Sequence, residues 1–272
     1  MARLGFTLAV LGCGTMGKAI AAGLLRSGVA EPPDLVVTAR RREVVDKLAA
    51  ELCIAATVDN LAAVRRAEVV LLSLKPQQLP ALLNGTEIAG ALAGKLVISI
   101  AAGVTVAQLT RWLPESAVIR AMPNTPSLIG AGMTVLARGQ GVDDEQVARA
   151  DRIFSAVGDC IELEDKLMDA VTSLNGSGPA FAYVMLEAMA DGGVMMGLPR
   201  TVALRIAARV CEGAARMVLD TTMHPAALKD QVTTPAGCTI AGLLTMEDGR
   251  IRSVIARAIQ EAARVAAGLG EK

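Results

Sequence analysis

Two stretches of this sequence have residue types and spacings suited to holding anions, and a third lies where the first would need help. The first is Gly12-Cys13-Gly14-Thr15-Met16-Gly17, between an apolar run ending at Leu11 and a helix-like segment from Lys18. In that context the G-x-G-x-x-G spacing suits a dinucleotide. Gly12 permits a tight turn, Gly14 lets the backbone approach a pyrophosphate, and Gly17 lets helix and strand pack closely. The N–H groups at the helix start, with the helix dipole, would hold the anion. The bland alternative is a glycine-rich turn without a ligand. The second stretch runs from Asp230 to Gly242, a Pro/Gly/Thr loop leading directly into a helix. There the N–H groups of Gly237, Cys238 and Thr239 form a nest for a small anion. Taken alone, a capped helix start explains it as well. The third is Thr38-Ala39-Arg40-Arg41-Arg42. An NAD site would place an acid near here for the ribose 2′-hydroxyl. Guanidinium groups suit a 2′-phosphate instead, so NADP is expected. If these arginines merely began a solvated helix, they would oppose its dipole.

Other chemistries are poorly supplied. The five cysteines are scattered without a C-x-x-C pair, and His224 is the single histidine. This pattern predicts reduced thiols in a cytoplasmic protein, no disulfide framework and no metal centre. A dehydrogenase that reduces a carbonyl needs a proton donor. His224 stands beside Pro225 and Tyr183 lies in an apolar helical stripe, so both read as structural. Lys plus Arg equals Asp plus Glu at 27 each, and aromatics are 2% of the chain, so neither a basic field nor stacking platforms favour nucleic acid. No apolar run approaches the ~18 residues of a membrane span. The N-terminus enters a strand at once, so no signal peptide is expected.

The elements that must position these residues follow from periodicity. Short apolar runs around Phe6–Leu11, Leu35–Thr38, Ile54–Thr57, Glu68–Leu74, Lys95–Gly103 and Val118–Met122 read as strands, with two more at Met133–Ala137 and Cys160–Leu163. Helical segments separate them, including one over 78–89 and one over 143–156. This alternation predicts an α/β doubly wound sheet with its ligand beyond the carboxyl ends of the strands. From about Glu164 the pattern is helical throughout, and Ser177 and Pro179 look like the cap and first turn of a helix. Several of these helices are apolar over wide arcs, which predicts burial against a second copy of the chain.

The blocks G-C-G-T-M-G, S-L-K-P-Q (73–77), A-A-G-V-T (101–105), M-P-N-T-P (122–126), N-G-S-G-P-A (175–180), A-D-G-G (190–193), M-G-L-P-R (196–200) and K-D-Q-V-T-T-P-A-G-C-T-I-A-G (229–242) resemble pyrroline-5-carboxylate reductase in order and spacing, almost end to end. The resemblance implies an N-terminal Rossmann NADP-binding domain over residues 1–163 and an all-α dimerisation and substrate domain over 164–272. It implies NADPH-dependent reduction of 1-pyrroline-5-carboxylate to L-proline, with NADH as the other candidate donor, by a cytoplasmic homodimer or a decamer of five dimers.

It also implies roles for individual residues. Leu11, Gly12, Cys13, Gly14, Thr15, Met16 and Gly17 would hold the pyrophosphate, Thr38 and Arg40 the 2′-phosphate, and Asn60 the adenosine. Ser73, Leu74, Lys75 and Pro76, with Ile100, Ala101 and Ala102, would border the nicotinamide. Gly237, Cys238 and Thr239, with Thr234 nearby, would receive the substrate carboxylate. The Thr172 hydroxyl would approach the ring nitrogen. A protonated cyclic imine already carries its proton, which explains the missing acid. Two departures stand out: T-P-A-G-C-T replaces the family's usual S-P-G-G-T-T or S-P-G-G-A-T. Ala236 in place of glycine puts a positive φ there in doubt, and Cys238 is expected to be the fastest cysteine to alkylate. Two rivals stay open: a β-hydroxyacid dehydrogenase-like or other imine oxidoreductase, and an NADP-binding scaffold without turnover.

Overall fold

A computed structural model describes residues 2–84 and 86–268. Strands β1 Leu8–Leu11, β2 Leu35–Thr38, β3 Ala55–Thr57, β4 Val69–Leu72, β5 Leu96–Ser99, β6 Ala117–Met122, β7 Gly132–Arg138 and β8 Gly158–Glu162 form one sheet in the order β3-β2-β1-β4-β5-β6-β7-β8. The first six are parallel, β7 runs antiparallel to β6, and β8 is parallel to β7. The strand order reverses between β1 and β4, so this is the expected doubly wound sheet, with its crevice at the carboxyl ends of those two strands.

β1, β2, β4 and β5 are four-residue apolar runs buried along their whole length. Such strands need cover on both faces, and alternation by residue divides the core into two layers. Leu8, Val10, Val37, Leu71 and Ile98 face the layer containing Ile20, Leu24, Ile153 and Phe154. Those four come from α1 Thr15–Arg26 and, after α2 Arg42–Leu52, α3 Asn60–Arg66, α4 Leu79–Leu83, α5 Glu87–Ala91 and α6 Val106–Trp112, from α7 Asp144–Phe154. Ala9, Leu11, Val70, Leu72 and Val97 face the opposite layer, with Leu79, Leu83 and Leu109, and Trp112 is half-buried against it. One expectation changes here. The helix expected over 78–89 is two, because Asn84 turns extended and Thr86 caps a new helix by accepting the Ala89 N–H at 3.2 Å.

The helical half comprises α8 Met168–Val171, a π turn Thr172–Ser177, α9 Gly178–Met195, α10 Arg200–Thr221, α11 Pro225–Val232, α12 Cys238–Asp248 and α13 Ile251–Ala267. Ser177 does not cap: the helix runs through it into α9. Pro179 has no N–H to give an i→i−4 ladder, and the wider turn lies just ahead of it. By contacts the chain forms two compact units, one up to Ser177 together with the segment from Glu261 onward, the other Gly178–Gln260. Residues 164–177 group with the sheet because side chains of β6 and the loop after it bind them, as described below. In the second unit only Ala190, Ala203 and Ala207 are buried, while Met195 and Met196 are each 85% exposed and Leu219 70%.

Candidate functional site

The three glycines of the first motif have different surroundings. At Gly12, φ is +76°, and a Cβ would collide with Leu74 at the end of β4. At Gly17 a Cβ would lie 2.9 Å from Ser73 Oγ and 3.0 Å from Val10 Cγ1. At Gly14 it would meet nothing nearer than the Gly12 carbonyl at 3.9 Å. Gly12 and Gly17 therefore serve the chain's own packing, and Gly14 opens the backbone to a ligand. The loop is anchored to β2: the Gly12 N–H donates to Thr38 Oγ1 at 3.1 Å and the Cys13 N–H to the Thr38 carbonyl at 2.7 Å. Gly14 has no side chain to cap α1, so the N–H groups of Thr15, Met16 and Gly17 face outward without helical partners. Cys13 is buried, and desolvation pushes its thiol up to about 12 against the pull of Lys18. It stays protonated, and only its backbone reaches the loop surface.

A cleft of about 270 Å³ opens over this loop, lined by Gly12–Gly14, Ala39–Arg41, Val44, Ser73–Lys75 and Gln78. Arg41 pairs with Glu43 at 2.9 Å and Arg42 with Asp46 at 3.0 Å, whereas exposed Arg40 makes no ion pair among the described residues. Thr38 is 1% exposed and braces the loop from beneath. An open backbone, free N–H groups and an unpaired guanidinium at the end of β2 fit NADP. Arg41 and Gln78 belong to this cleft although neither is assigned a cofactor contact from the sequence. Arg41 was legible as part of the arginine run. Gln78 accepts the Lys75 N–H at 3.1 Å, the N3 arm of a cap on the short turn that Pro76 starts.

The other predicted cofactor residues sit at neighbouring strand ends. Asn60 opens α3, whose cap is Asp59 accepting the Ala62 N–H at 3.0 Å. The Ser73 N–H donates to the Leu11 carbonyl at 2.9 Å, and the Ile100 N–H to that of Leu72 at 3.1 Å. Pro76 starts a short 3₁₀ turn. Ala101 is buried, and Ala102 packs with Met122, Val135, Ala137 and fully buried Met168. Thr172 is one turn beyond Met168 and 8% exposed. Its hydroxyl donates to the Met168 carbonyl at 2.7 Å, so its oxygen keeps lone pairs to accept a further hydrogen bond.

In the second unit, Gly237 is the N-cap of α12 and supplies no side-chain cap. A Cβ on it would collide with the Thr234 hydroxyl. The Gly237 N–H is already bonded to the Thr234 carbonyl at 3.1 Å, which leaves the N–H groups of Cys238 and Thr239 to open the helix. Ala236 does adopt positive φ, at +56°, despite its Cβ. His224 caps α11, its Nδ1 accepting the Ala226 N–H at 3.2 Å. No group of three or more metal-ligating side chains occurs among the described residues.

Comparison with known proteins matches residues 7–103 to the family described as "NADP oxidoreductase coenzyme F420-dependent" and residues 165–269 to "Pyrroline-5-carboxylate reductase dimerisation". The chain is 42% identical over 265 residues to the pyrroline-5-carboxylate reductase of a Synechocystis strain, covering 97% of this chain and 98% of that one. It is 43% identical over 278 residues to that of Schizosaccharomyces pombe, covering 96% and 98%. The crystal structure of Plasmodium falciparum pyrroline carboxylate reductase with NADP bound superposes with a TM-score of 0.89 at 26% identity, covering 99% of this chain and 100% of that one. A pyrroline-5-carboxylate reductase structure from Coxiella burnetii gives 0.86 at 32% identity, covering 98% and 99%. With likeness running from end to end in both sequence and fold, the chain belongs to the pyrroline-5-carboxylate reductase family.

Proposed function

We propose that this chain reduces 1-pyrroline-5-carboxylate to L-proline with NADPH. The observation that carries the reading is the 42% identity to a curated reductase across 97% of the chain, and the open face of the glycine loop supports it. Bound NADPH supplies the hydride that reduces the imine carbon. The chain's part is to bind and align. Thr15, Met16 and Gly17 present N–H groups to the pyrophosphate, on a loop shaped by Leu11, Gly12, Cys13 and Gly14. Arg40 meets the 2′-phosphate while Thr38 holds the loop, and Asn60 contacts the adenosine. Ser73–Pro76 and Ile100–Ala102 border the nicotinamide. The N–H groups of Cys238 and Thr239 receive the substrate carboxylate in a turn built by Thr234 and Gly237. Thr172 accepts a hydrogen bond from the protonated imine N–H, because its own proton already points at Met168. With the substrate nitrogen protonated beforehand, no side-chain acid is required.

A β-hydroxyacid-type mechanism would use a lysine on the first helices after the nucleotide half; Lys166 is the one lysine near, exposed and paired with Glu164, and Asn175 to Gly197 contains none. We place the enzyme in the cytoplasm as a homodimer, with a ring of five dimers as the larger assembly. Five unpaired cysteines agree with a reducing compartment, and no described helix is long and apolar enough to cross a membrane. Following NADPH absorbance with pyrroline-5-carboxylate tests the function, repeated with the six-membered homologue and with NADH. Turnover should be fastest with the five-membered ring and NADPH. Binding of NADPH without oxidation across cyclic imines would instead identify a scaffold.

A further inference from the structure

The segment carrying Thr172 is fastened to the sheet at both ends by polar side chains, fully buried at Arg120 and half-buried at Asn124 and Asn175. At the entry, Arg120 on β6 is 1% exposed and reaches Asp165 at 3.1 Å and Asp169 at 3.2 Å. At the exit, the Asn175 carboxamide donates to the Met122 carbonyl at 2.7 Å and to that of Met133 at 3.0 Å. Its oxygen accepts from Asn124 Nδ2 at 2.9 Å, and Asn124 Oδ1 in turn accepts the Met133 N–H at 2.9 Å. Asn175 thus joins the end of β6, the start of β7 and the π turn through one planar group.

We propose that Asn175 is a positioning residue for the reduction: it fixes the winding of the π turn so that the Thr172 oxygen faces the substrate nitrogen. The inference rests on the reading of Thr172 given above. A π turn is rare and recurs at functional sites, and Thr172 is its first residue. The direction of the Thr172 lone pairs follows from the backbone of that turn, since its hydroxyl is bonded to Met168 one turn earlier. Holding the turn takes two donors and an acceptor on a short side chain. Aspartate lacks the donors, alanine lacks all three, and glutamine carries them one carbon too far. A network satisfied in this way specifies a single geometry, whereas packing of Met168 alone would tolerate sliding.

The test is a double-mutant cycle on the full-length enzyme, measuring kcat with pyrroline-5-carboxylate and, separately, NADPH affinity by fluorescence titration. Asn175→Ala should lower kcat about tenfold while NADPH affinity stays within about twofold. In a Thr172→Ala background the same substitution should cost less than about twofold, because the group it positions is gone. Asn124→Ala, which leaves the turn's own side chains intact, should show the same dependence on Thr172 and serves if Asn175→Ala does not fold. Equal losses in both backgrounds would overturn the inference, as would an unchanged kcat in Asn175→Ala. If Thr172→Ala alone leaves kcat unchanged, the assignment of Thr172 fails and this inference falls with it. A Thr172 effect without coupling sinks only the inference.

Discussion

At the scale of the residue, glycines of one motif do different work. Gly12→Ala forces a Cβ at φ +76° against Leu74, so it should cost about 1–2 kcal/mol in strain alone and lower the melting temperature. At Gly14 a Cβ would meet nothing of its own chain nearer than 3.9 Å, so the substitution to make there is Gly14→Ala. It should melt like the parent yet bind NADPH at least about tenfold more weakly, from blocked approach to the pyrophosphate. Thermal melts paired with NADPH titration separate the two. Ala236 poses the converse case. It holds φ +56° in the substrate loop, so Ala236→Gly should raise unfolding free energy by about 1 kcal/mol in urea titration. Spacing made the motif legible, but the division of labour within it was not. That division depends on Leu74 and Ser73, which arrive from a strand far along the chain. The Gly237 N–H is likewise taken up by the Thr234 carbonyl, a turn bond that the loop's composition does not reveal.

At the scale of the element, the strands of the sheet were legible because burial on both faces demands unbroken apolar runs. Boundaries governed by side-chain hydrogen bonds were not. Ser177 and Pro179 look like a helix start, yet the chain passes through them as continuous helix, and Asn175 just ahead makes tertiary bonds that no periodicity reports. Arg120 is the same kind of omission: a cation within an apolar strand, given meaning only by acids some fifty residues on. Arg120→Met removes the fully buried charge and leaves Asp165 and Asp169 partly open to water, so it should destabilise the enzyme by about 1–3 kcal/mol through the lost charged hydrogen bonds, and Asp169→Asn by less, because the guanidinium would keep Asp165. Urea midpoints at constant slope check both.

At the scale of the whole molecule, the second unit cannot hide its own apolar side chains. Three buried alanines against exposed Tyr183, Val184, Leu219, Val232 and Val254 leave a wide apolar surface, of the kind another protein surface covers. The apolar arcs made that surface legible, and the dimerisation-family match over residues 165–269 supports a second copy as its cover. Light scattering should give a mass no lower than a dimer at every concentration where the enzyme is active. A monomer that keeps full activity on dilution would contradict it.

Trp112 has a further consequence. It is the single tryptophan, on α6 and packed into one layer of the sheet unit. Its emission therefore monitors that unit alone, whereas the far-ultraviolet ellipticity sums the helices of both units. If the two denaturation curves separate, the units unfold in separate steps and the emission curve identifies the one that belongs to the sheet; if they coincide, the enzyme unfolds as a single cooperative body.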